Sequence, residues 1–410
     1  MQYDLIVVGS GAAGIISAIV AAREGKKVLL LEKLSQIASK LKATGGGRCN
    51  LTNTLAQDEF MSRFGRDGRF MQDALAEFSS EDLVNFLSDI GVATHAPDGF
   101  RVFPTSHSSV TIIKALHNEL TRLHVEILTE QKVAKILQDE FQVIGVKTQN
   151  ATFYASHVVI ATGGLGYPIL GATGDGHEMA QSLGHKITEL SPAMMPLTTK
   201  ENWVQNCRAD TIAKVELRVN IKKYKKLRAN GDLIFTKKGI RGPVVLDFAR
   251  EITPLLKKYG EVPILLNLTK GMNENDILLH VKQQQSKNPQ ANIIDILTTL
   301  LPKPISLEIC KLLHVNPDVK FKEIDGASKE SLIKTLAWTP LTITGHDGYK
   351  MAMITRGGIN LKEIDPKTMQ SKILKGLYFC GEIMNLDGPC GGYNLQWSFS
   401  SGYLAGKLLR

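Results

Sequence analysis

The chain has 410 residues, 43% of them hydrophobic and 22% charged, the balance of a soluble globular protein of roughly two or three domains. No apolar run approaches the roughly 18 residues of a membrane-spanning helix. The first strand candidate begins at Tyr3, leaving no room for a signal peptide, so a cytoplasmic protein without membrane attachment is expected. Five scattered cysteines, Cys49, Cys207, Cys310, Cys380 and Cys390, form no C-x-x-C or C-x4-C pair. That argues against a disulfide framework, a structural zinc site and a dithiol redox centre.

In chain order, the run 3–9 (YDLIVVG) is short, apolar and β-branched, and reads as a buried parallel strand. A helix over 11–24 and a second buried strand over 26–33 complete one strand–helix–strand unit. Helical spacing predicts helices over 71–90 and 109–123. Strand candidates at 125–129, 132–138, 141–148 and 152–155 read as a small antiparallel meander, and 157–164 returns as an apolar strand ending in glycines. Two prolines in 191–196 punctuate the chain. Alternating strand patterns follow over 197–267, then a polar, mostly helical stretch over 274–335. Glycine-rich strands resume at Gly345 and a helix is predicted over 394–409. This organisation sets residues 1–190 and 345–410 as one discontinuous domain and 191–344 as an inserted domain on the substrate side.

Three glycine clusters carry chemistry. Gly9-x-Gly11-x-x-Gly14 sits between a predicted strand and a predicted helix, and Glu32 ends the next strand 18 residues beyond Gly14. In a dinucleotide fold the first glycine permits the tight turn, the second lets backbone approach the pyrophosphate, and the third lets helix and strand pack closely. The helix N-terminus offers N–H groups and the positive end of its dipole to the phosphates. The second cluster is 44–53 (TGGGRCNLTN), where three consecutive glycines are entropically costly and point to backbone passing close to a ligand. The third is Gly381-Glu382 with 388–396 (GPCGGYNLQ), again between a strand and a helix. A helix start there could face negative charge on the N1/C2-carbonyl edge of a reduced flavin.

These clusters, with Ala161-Thr162-Gly163-Gly164 and 171–176 (GATGDG), resemble the bacterial BaiN/RdsA family of FAD-dependent oxidoreductases over nearly the whole chain. That family includes an aminoacetone oxidase and a bile-acid reductase. The resemblance implies an α/β fold: a Rossmann-like FAD-binding domain of the two-dinucleotide-fold type, with an inserted β-barrel and a helical subdomain near 274–335. It assigns Gly9, Gly11, Ala13, Gly14, Glu32 and Lys33 to the adenosine-diphosphate site. Lys40, Gly45, Gly46, Arg48, Cys49 and Asn50 fall to the loop beside the flavin, and Ala161, Thr162 and Gly163 to the adenine side. Gly381 and Glu382 match a second FAD-contacting turn, and Gly391, Gly392, Tyr393, Asn394, Leu395 and Gln396 the flavin-facing helix start. The chain departs from the family at Asn385, where an aspartate is usual, and in 235–243 (FTKKGIRGP), where Lys237 and Arg241 replace a histidine and a serine.

Acid–base candidates reduce to Tyr393 and Arg356, and no metal ligands are assigned. His346, in a turn, reads as structural. No second G-x-G-x-x-G exists for a nicotinamide domain, so NAD(P)H use is implied by the resemblance alone, as a transient donor. The leading reading is an FAD-dependent oxidoreductase acting on a small molecule. Net charge is +9, and 214–241 carries Lys214, Arg218, Lys222, Lys223, Lys225, Lys226, Arg228, Lys237, Lys238 and Arg241. This leaves open an FAD-dependent RNA-modifying or RNA-binding protein. A non-catalytic FAD-binding scaffold stays open as well.

Overall fold

The computed structural model describes residues 2–208 and 211–407. They separate into two compact units, one up to Ser191 and from Ile354 onward, the other Pro192–Met353. The second crossing comes at Ile354, nine residues later than the Gly345 boundary read from glycine content. The strand Thr339–His346 is bonded into the inserted unit, which carries the chain past Gly345.

The first unit is built on β1 (Gln2–Val8), α1 (Ala12–Arg23) and β2 (Val28–Leu31). β1 pairs parallel with β2, Ile6 opposite Leu29, and with the strand Thr152–Ile160 on its other side, Ile6 opposite Val158. Buried on both faces, β1 and β2 can afford continuous aliphatic runs, which is why they are legible without alternation.

The meander reading is partly corrected. Glu126–Leu128 pairs parallel with β2, Leu30 opposite Ile127. The helix Ser109–Arg122 is therefore a crossover connection into the main sheet. Only Val133–Gln138, Val143–Thr148 and the first half of Thr152–Ile160 run antiparallel. That last strand is one element where two were read. Its first half bonds Val143–Thr148 and its second half bonds Leu377–Phe379 in parallel, so a single strand changes partner midway. The helix over 71–90 is also two helices, Gln72–Glu77 and Ser80–Asp89. Ser79 stops the first and caps the second: its hydroxyl accepts from Asp82 N while Asp82 accepts from Ser79 N at 2.8 Å, a capping box.

The C-terminal helix Tyr393–Gly406 packs on α1 through small residues. A Cβ at Gly402 would stand 2.3 Å from Ala13 O, and one at Gly406 2.7 Å from Ser17 O. Of the helix predicted over 394–409, residues 408 and 409 lie outside the described residues.

The inserted unit contains a closed antiparallel barrel in the order Leu197–Thr199, Gly239–Arg241, Arg228–Phe235, Thr211–Val219, Val262–Asn267, Thr339–His346. Alternation explains it: Val215, Leu217 and Val219 face a core shared with Leu233, Phe235, Ile264, Leu266, Leu341 and Ile343. The helix Pro243–Tyr259 sends Val245, Phe248 and Ile252 into the same core, beside the helices Glu274–Lys287, Ile293–Leu297, Lys303–Leu312 and Gly326–Ala337.

Candidate functional site

The turn after β1 sorts its three glycines by the space around them. Gly9 has φ of 98°, and a Cβ there would lie 2.7 Å from Ala161 O. A Cβ at Gly14 would lie 1.9 Å from Gly9 O. Both therefore serve backbone packing. A Cβ at Gly11 would meet nothing within 4 Å, so this glycine faces open space at the start of α1. No side chain caps α1 and no acidic residue stands in its first turn, which leaves its N–H groups and positive dipole end uncompensated. Open space beside an uncapped helix start is the cradle a pyrophosphate requires, so these residues fit a dinucleotide.

Glu32 is engaged on this turn. One carboxylate oxygen accepts from Ser10 N at 3.1 Å and Ser10 Oγ at 2.5 Å, and the other from Leu34 N at 2.9 Å. Its observed work is to hold the turn. Lys33 reaches Thr173 Oγ1 at 2.5 Å and Asp175 at 3.0 Å, tying β2 to the helix Asp175–Ser182. Ala161 N donates to Val8 O at 2.9 Å, which sets Thr162 and Gly163 beside the β1 turn.

A second knot joins four distant segments. Lys40 Nζ lies 2.7 Å from one oxygen of Glu382, and the other accepts from Thr355 N at 2.8 Å. Thr355 Oγ1 accepts from Leu165 N at 2.7 Å. A Cβ at Gly164 would fall 2.3 Å from Thr355 Oγ1 and 2.7 Å from a Glu382 oxygen, so only glycine fits there. Close by in sequence, Gly381 N donates to Ser401 Oγ at 2.9 Å, anchoring this turn on the C-terminal helix.

The loop 44–53 and the cluster 388–396 meet. Gly45, Gly46, Gly47 and Cys49 all hold left-handed backbone. Gly46 and Gly47 have open space where a Cβ would be, and Arg48 is exposed at the loop edge, 5.9 Å from the Phe103 ring. In the amide orientation that satisfies both groups, Asn50 donates to Thr52 O and accepts from Gly392 N, each at 3.1 Å. Asn53 Nδ2 donates to Gly391 O at 2.9 Å. Gly392 has φ of 87° and caps the C-terminal helix with no side chain, and a Cβ there would strike Thr52 backbone at 2.5 Å.

The side chains of this cluster do different work from its backbone. Asn394 accepts from Gly388 N at 2.8 Å and donates to Gly388 O at 2.9 Å, so it shapes the Gly388–Pro389 turn. Gln396 is fully buried and donates to Phe78 O and Ser400 Oγ. Leu395 is half-buried against the core. Tyr393 is buried with its ring 5.0 Å from Phe60 and 6.2 Å from Phe64, an aromatic anchor for the helix start. Arg356 is half-buried on the strand Ile354–Ile359. Gly357 and Gly358, beside it, serve packing: a Cβ would meet Glu189 O at 2.2 Å and Ile383 O at 2.5 Å. Cys49 is fully buried, and burial pushes its thiol up to about 12, which keeps it protonated. In the inserted unit, His346 Nδ1 accepts from Gly348 N at 3.1 Å, holding its turn.

The residue-type reading missed Thr355 and His177. His177 is buried, Nε2 lies 3.1 Å from Ile383 O, and Nδ1 has no partner; burial lowers its pKa, so the ring is neutral. Thr162 Oγ1 is also buried without a partner, and a Cβ at Gly176 would stand 1.9 Å from it. The signal for His177 was the run 171–176 immediately before it; Thr355 carries no local signature.

Comparison with known proteins places this geometry. The family described as HI0933-like protein Rossmann domain matches residues 3–408. A 3-dehydro-bile acid delta(4,6)-reductase from Clostridium scindens is 31% identical over 404 residues, 98% of this chain and 97% of the relative. A ribosomal RNA dihydrouridine synthase from Escherichia coli is 28% identical over 402 residues, 98% of this chain and 96% of the relative. Among solved structures, a 3-ketosteroid-delta4-(5alpha)-dehydrogenase from Rhodococcus jostii RHA1 is similar in fold, with a TM-score of 0.54 at 15% identity, covering 99% of this chain and 97% of that one.

Proposed function

The chain belongs to the HI0933-like Rossmann family and is a flavin-dependent oxidoreductase, and from that premise we propose that it uses FAD to add hydrogen across a carbon–carbon double bond conjugated to a carbonyl. The names of two full-length relatives support the bond type. A 3-dehydro group conjugates a carbonyl with a Δ4 bond, and dihydrouridine is uridine with two hydrogens added across the ring double bond next to a carbonyl. In such an acceptor the carbonyl makes the far carbon electrophilic, so it takes hydride while the near carbon takes a proton.

The observation that carries the cofactor is the open space at Gly11 beside an uncapped α1, with the loop 44–53 bound to the start of a second uncapped helix. Gly11, Ala13 and the α1 N-terminus would take the pyrophosphate, and Glu32 holds their turn. Gly45, Gly46 and the N-terminus of Tyr393–Gly406 would flank the ring, where N–H groups stabilise negative charge. Thr162 Oγ1 and His177 Nδ1 are buried polar atoms without a hydrogen-bond partner in the protein. Bound FAD supplies two-electron chemistry, and NAD(P)H is the proposed hydride donor. Asn53, Asn394 and the Lys40–Glu382–Thr355 knot keep the three glycine segments in place.

The test is anaerobic mixing of the purified protein with NADH or NADPH while flavin absorbance is followed. Bleaching is expected with one donor, and a 3-keto-Δ4 steroid or a uridine-containing transcript should then restore the yellow colour. A colourless protein that takes up no FAD would overturn the cofactor, and reduced flavin that only oxygen reoxidises would overturn the acceptor class.

A further inference from the structure

Beside the loop 44–53 lies a cluster of basic side chains that the proposed reaction does not use. Thr52 and Asn53 at the end of the loop pair with Val102 and Arg101 on the strand Arg101–Pro104, and Phe103 of that strand stands opposite His95. The buried Phe103 ring gathers the cluster: Arg48 lies 5.9 Å from its centroid and the His107 ring 6.1 Å. His95 and His107 meet edge to face, their ring centroids 4.6 Å apart at 74°.

These side chains have donor capacity to spare. Arg48 is exposed, and its guanidinium makes one long bond, from Nε to Gly45 O at 3.5 Å. His107 is exposed as well; its backbone N donates to Pro104 O at 2.9 Å, which fixes the residue without engaging the ring. His95 Nε2 is shut off from solvent and has no hydrogen-bond partner, a costly state for a buried nitrogen. Arg101 differs from Arg48, because Asp98 holds it at 2.6 Å.

The surroundings are short of negative charge. The helix Ser109–Arg122 starts two residues after His107 with no side-chain cap and no acid in its first turn, so its positive dipole end is uncompensated. Ser109 Oγ donates to Lys42 O at 2.7 Å, which ties this helix start to the segment leading into the loop. Ser106 Oγ and Thr111 Oγ1, 2.8 Å apart, add two hydroxyls. No acidic residue occurs in 33–57 or in 99–118, the two segments that the strand pairing joins. The acid in 94–107 is Asp98, and it is spent on Arg101. A metal ion is disfavoured, since an arginine stands beside the two imidazoles and no group of three ligands forms among the described residues.

We propose that Arg48, His95 and His107 bind an oxyanion carried by one of the two reactants of the flavin. Arg48 supplies a planar fork of N–H donors, and each imidazole supplies at least one N–H in either tautomer. Two reactants can carry such a group: NADPH in its 2′-phosphate, or an acceptor that bears a carboxylate. Arg48 is two residues from Gly46, which flanks the ring in the proposed reaction, so the subsite adjoins the place where either reactant must lie. The proposal rests on that reaction for the owner of the oxyanion, but not for the existence of the site.

The first arm of the test needs no turnover. Inorganic phosphate is titrated calorimetrically into the protein with FAD in excess, which fills the start of α1. Wild type and the control H117Q, an exposed histidine further along the same helix, are expected to bind it. H95Q/H107Q and R48Q are expected to bind it about tenfold more weakly or worse. The second arm separates the sources. Flavin reduction is followed with NADPH and with NADH, and reoxidation with a 3-keto-Δ4 steroid bearing a side-chain carboxylate and with its methyl ester. Weaker apparent affinity for NADPH but not NADH assigns the 2′-phosphate, and weaker affinity for the acid but not the ester assigns the acceptor. The limiting rate should stay within about twofold, because the contact serves binding and not the chemical step. Unchanged melting temperature and flavin absorbance certify folding, and H95Q/H107Q decides the matter if R48Q loses flavin. No phosphate binding by wild type, wild-type affinity in H95Q/H107Q, or equal loss for both members of each pair overturns the proposal. Phosphate binding that the variants lose, in a protein whose flavin no donor bleaches, keeps the subsite and sinks the reaction; the reverse result leaves the reaction standing.

Discussion

Gly11 and Gly14 separate ligand space from packing space, and alanine substitution reads the difference. At Gly14 the added methyl would sit 1.9 Å from Gly9 O, a backbone atom that cannot swing aside. Overpacking of this kind costs about 3 kcal/mol, and the gain in helix propensity returns about 1 kcal/mol. A net loss of about 2 kcal/mol lowers the melting temperature of a unit this size by roughly 4–8 °C. At Gly11 the methyl meets nothing within 4 Å and φ is −73°, so the flavin-free protein should hold its stability to within about 0.5 kcal/mol. FAD at about a hundred times its Kd stabilises wild type by about 2.7 kcal/mol, a rise of roughly 5–10 °C. Gly11→Ala should lose that rise because its methyl occupies the approach to the α1 N-terminus. The assay is thermal unfolding of flavin-stripped wild type, Gly11→Ala and Gly14→Ala, each with and without FAD. A flavin-free Gly11→Ala that melts as low as Gly14→Ala, or one that keeps the full FAD shift, refutes the reasoning.

Other expectations rest on single residues. Hydrogen bonds from Arg122 and then Arg23 hold Glu119 down to about 2, from an ordinary value of 4.5. A carboxylate lowered on folding stabilises above its unfolded value and loses that contribution as pH falls through its folded one. Urea midpoints should therefore drop between about pH 4.5 and 2 in wild type, and Glu119→Gln should flatten that window. Glu382→Ala strands Lys40 and the Thr355 N–H and should cost about 1.5–3 kcal/mol in urea unfolding, whereas Glu382→Gln keeps the Thr355 acceptor and costs less. Ser371 Oγ accepts from Ile373 N and Leu374 N and lies 2.9 Å from His185 Nε2, with Glu363 on the other ring nitrogen. The arrangement copies the order of a hydrolase triad, yet Ser371 is buried with its hydroxyl lone pairs occupied. p-Nitrophenyl acetate turnover should be at background, and Ser371→Ala should cost about 1–3 kcal/mol of stability. Cys49 and Cys380, both fully buried with thiols raised by burial, should resist Ellman's reagent until the protein unfolds.

The sequence was most informative where backbone geometry limits residue choice. The turn 9–14, the loop 44–53 and the cluster 388–396 stand out because runs of glycine are expensive unless a close contact or a left-handed angle requires them. Buried strands such as β1 were legible for a similar reason, since both faces demand aliphatic side chains. The missed break at Ser79 was legible too, in the spacing of Ser79 and Asp82. Pairing partners were not. Nothing local in Thr152–Ile160 announces that it changes neighbours halfway, and nothing in Glu126–Leu128 distinguishes a sheet edge from a meander strand. Those choices are made by α1 and Ser109–Arg122 covering the sheet, which are contacts across long stretches of chain.

Residue identity also hid division of labour within each motif. Asn50, Asn53 and Asn394 read alike as polar residues near a flavin, but the geometry spends their amides on backbone: Thr52 and Gly392 for Asn50, Gly391 for Asn53, Gly388 for Asn394. Gln396 turns into the core. Likewise Gly9, Gly14, Gly164, Gly357 and Gly358 exclude a side chain because protein backbone or side chains already fill the space, while Gly11, Gly46 and Gly47 leave it open. Only the second group marks where a cofactor can lie against the chain. A motif match therefore overstates the number of residues that touch the ligand, and an alanine series through these eight glycines separates the two sets. Loss of FAD affinity with flavin-free stability preserved is expected at Gly11, and loss of flavin-free stability is expected at Gly9, Gly14, Gly164, Gly357 and Gly358. At Gly46 and Gly47 the left-handed backbone adds a strain of about 1 kcal/mol to any loss of FAD affinity, so those two should show both effects together.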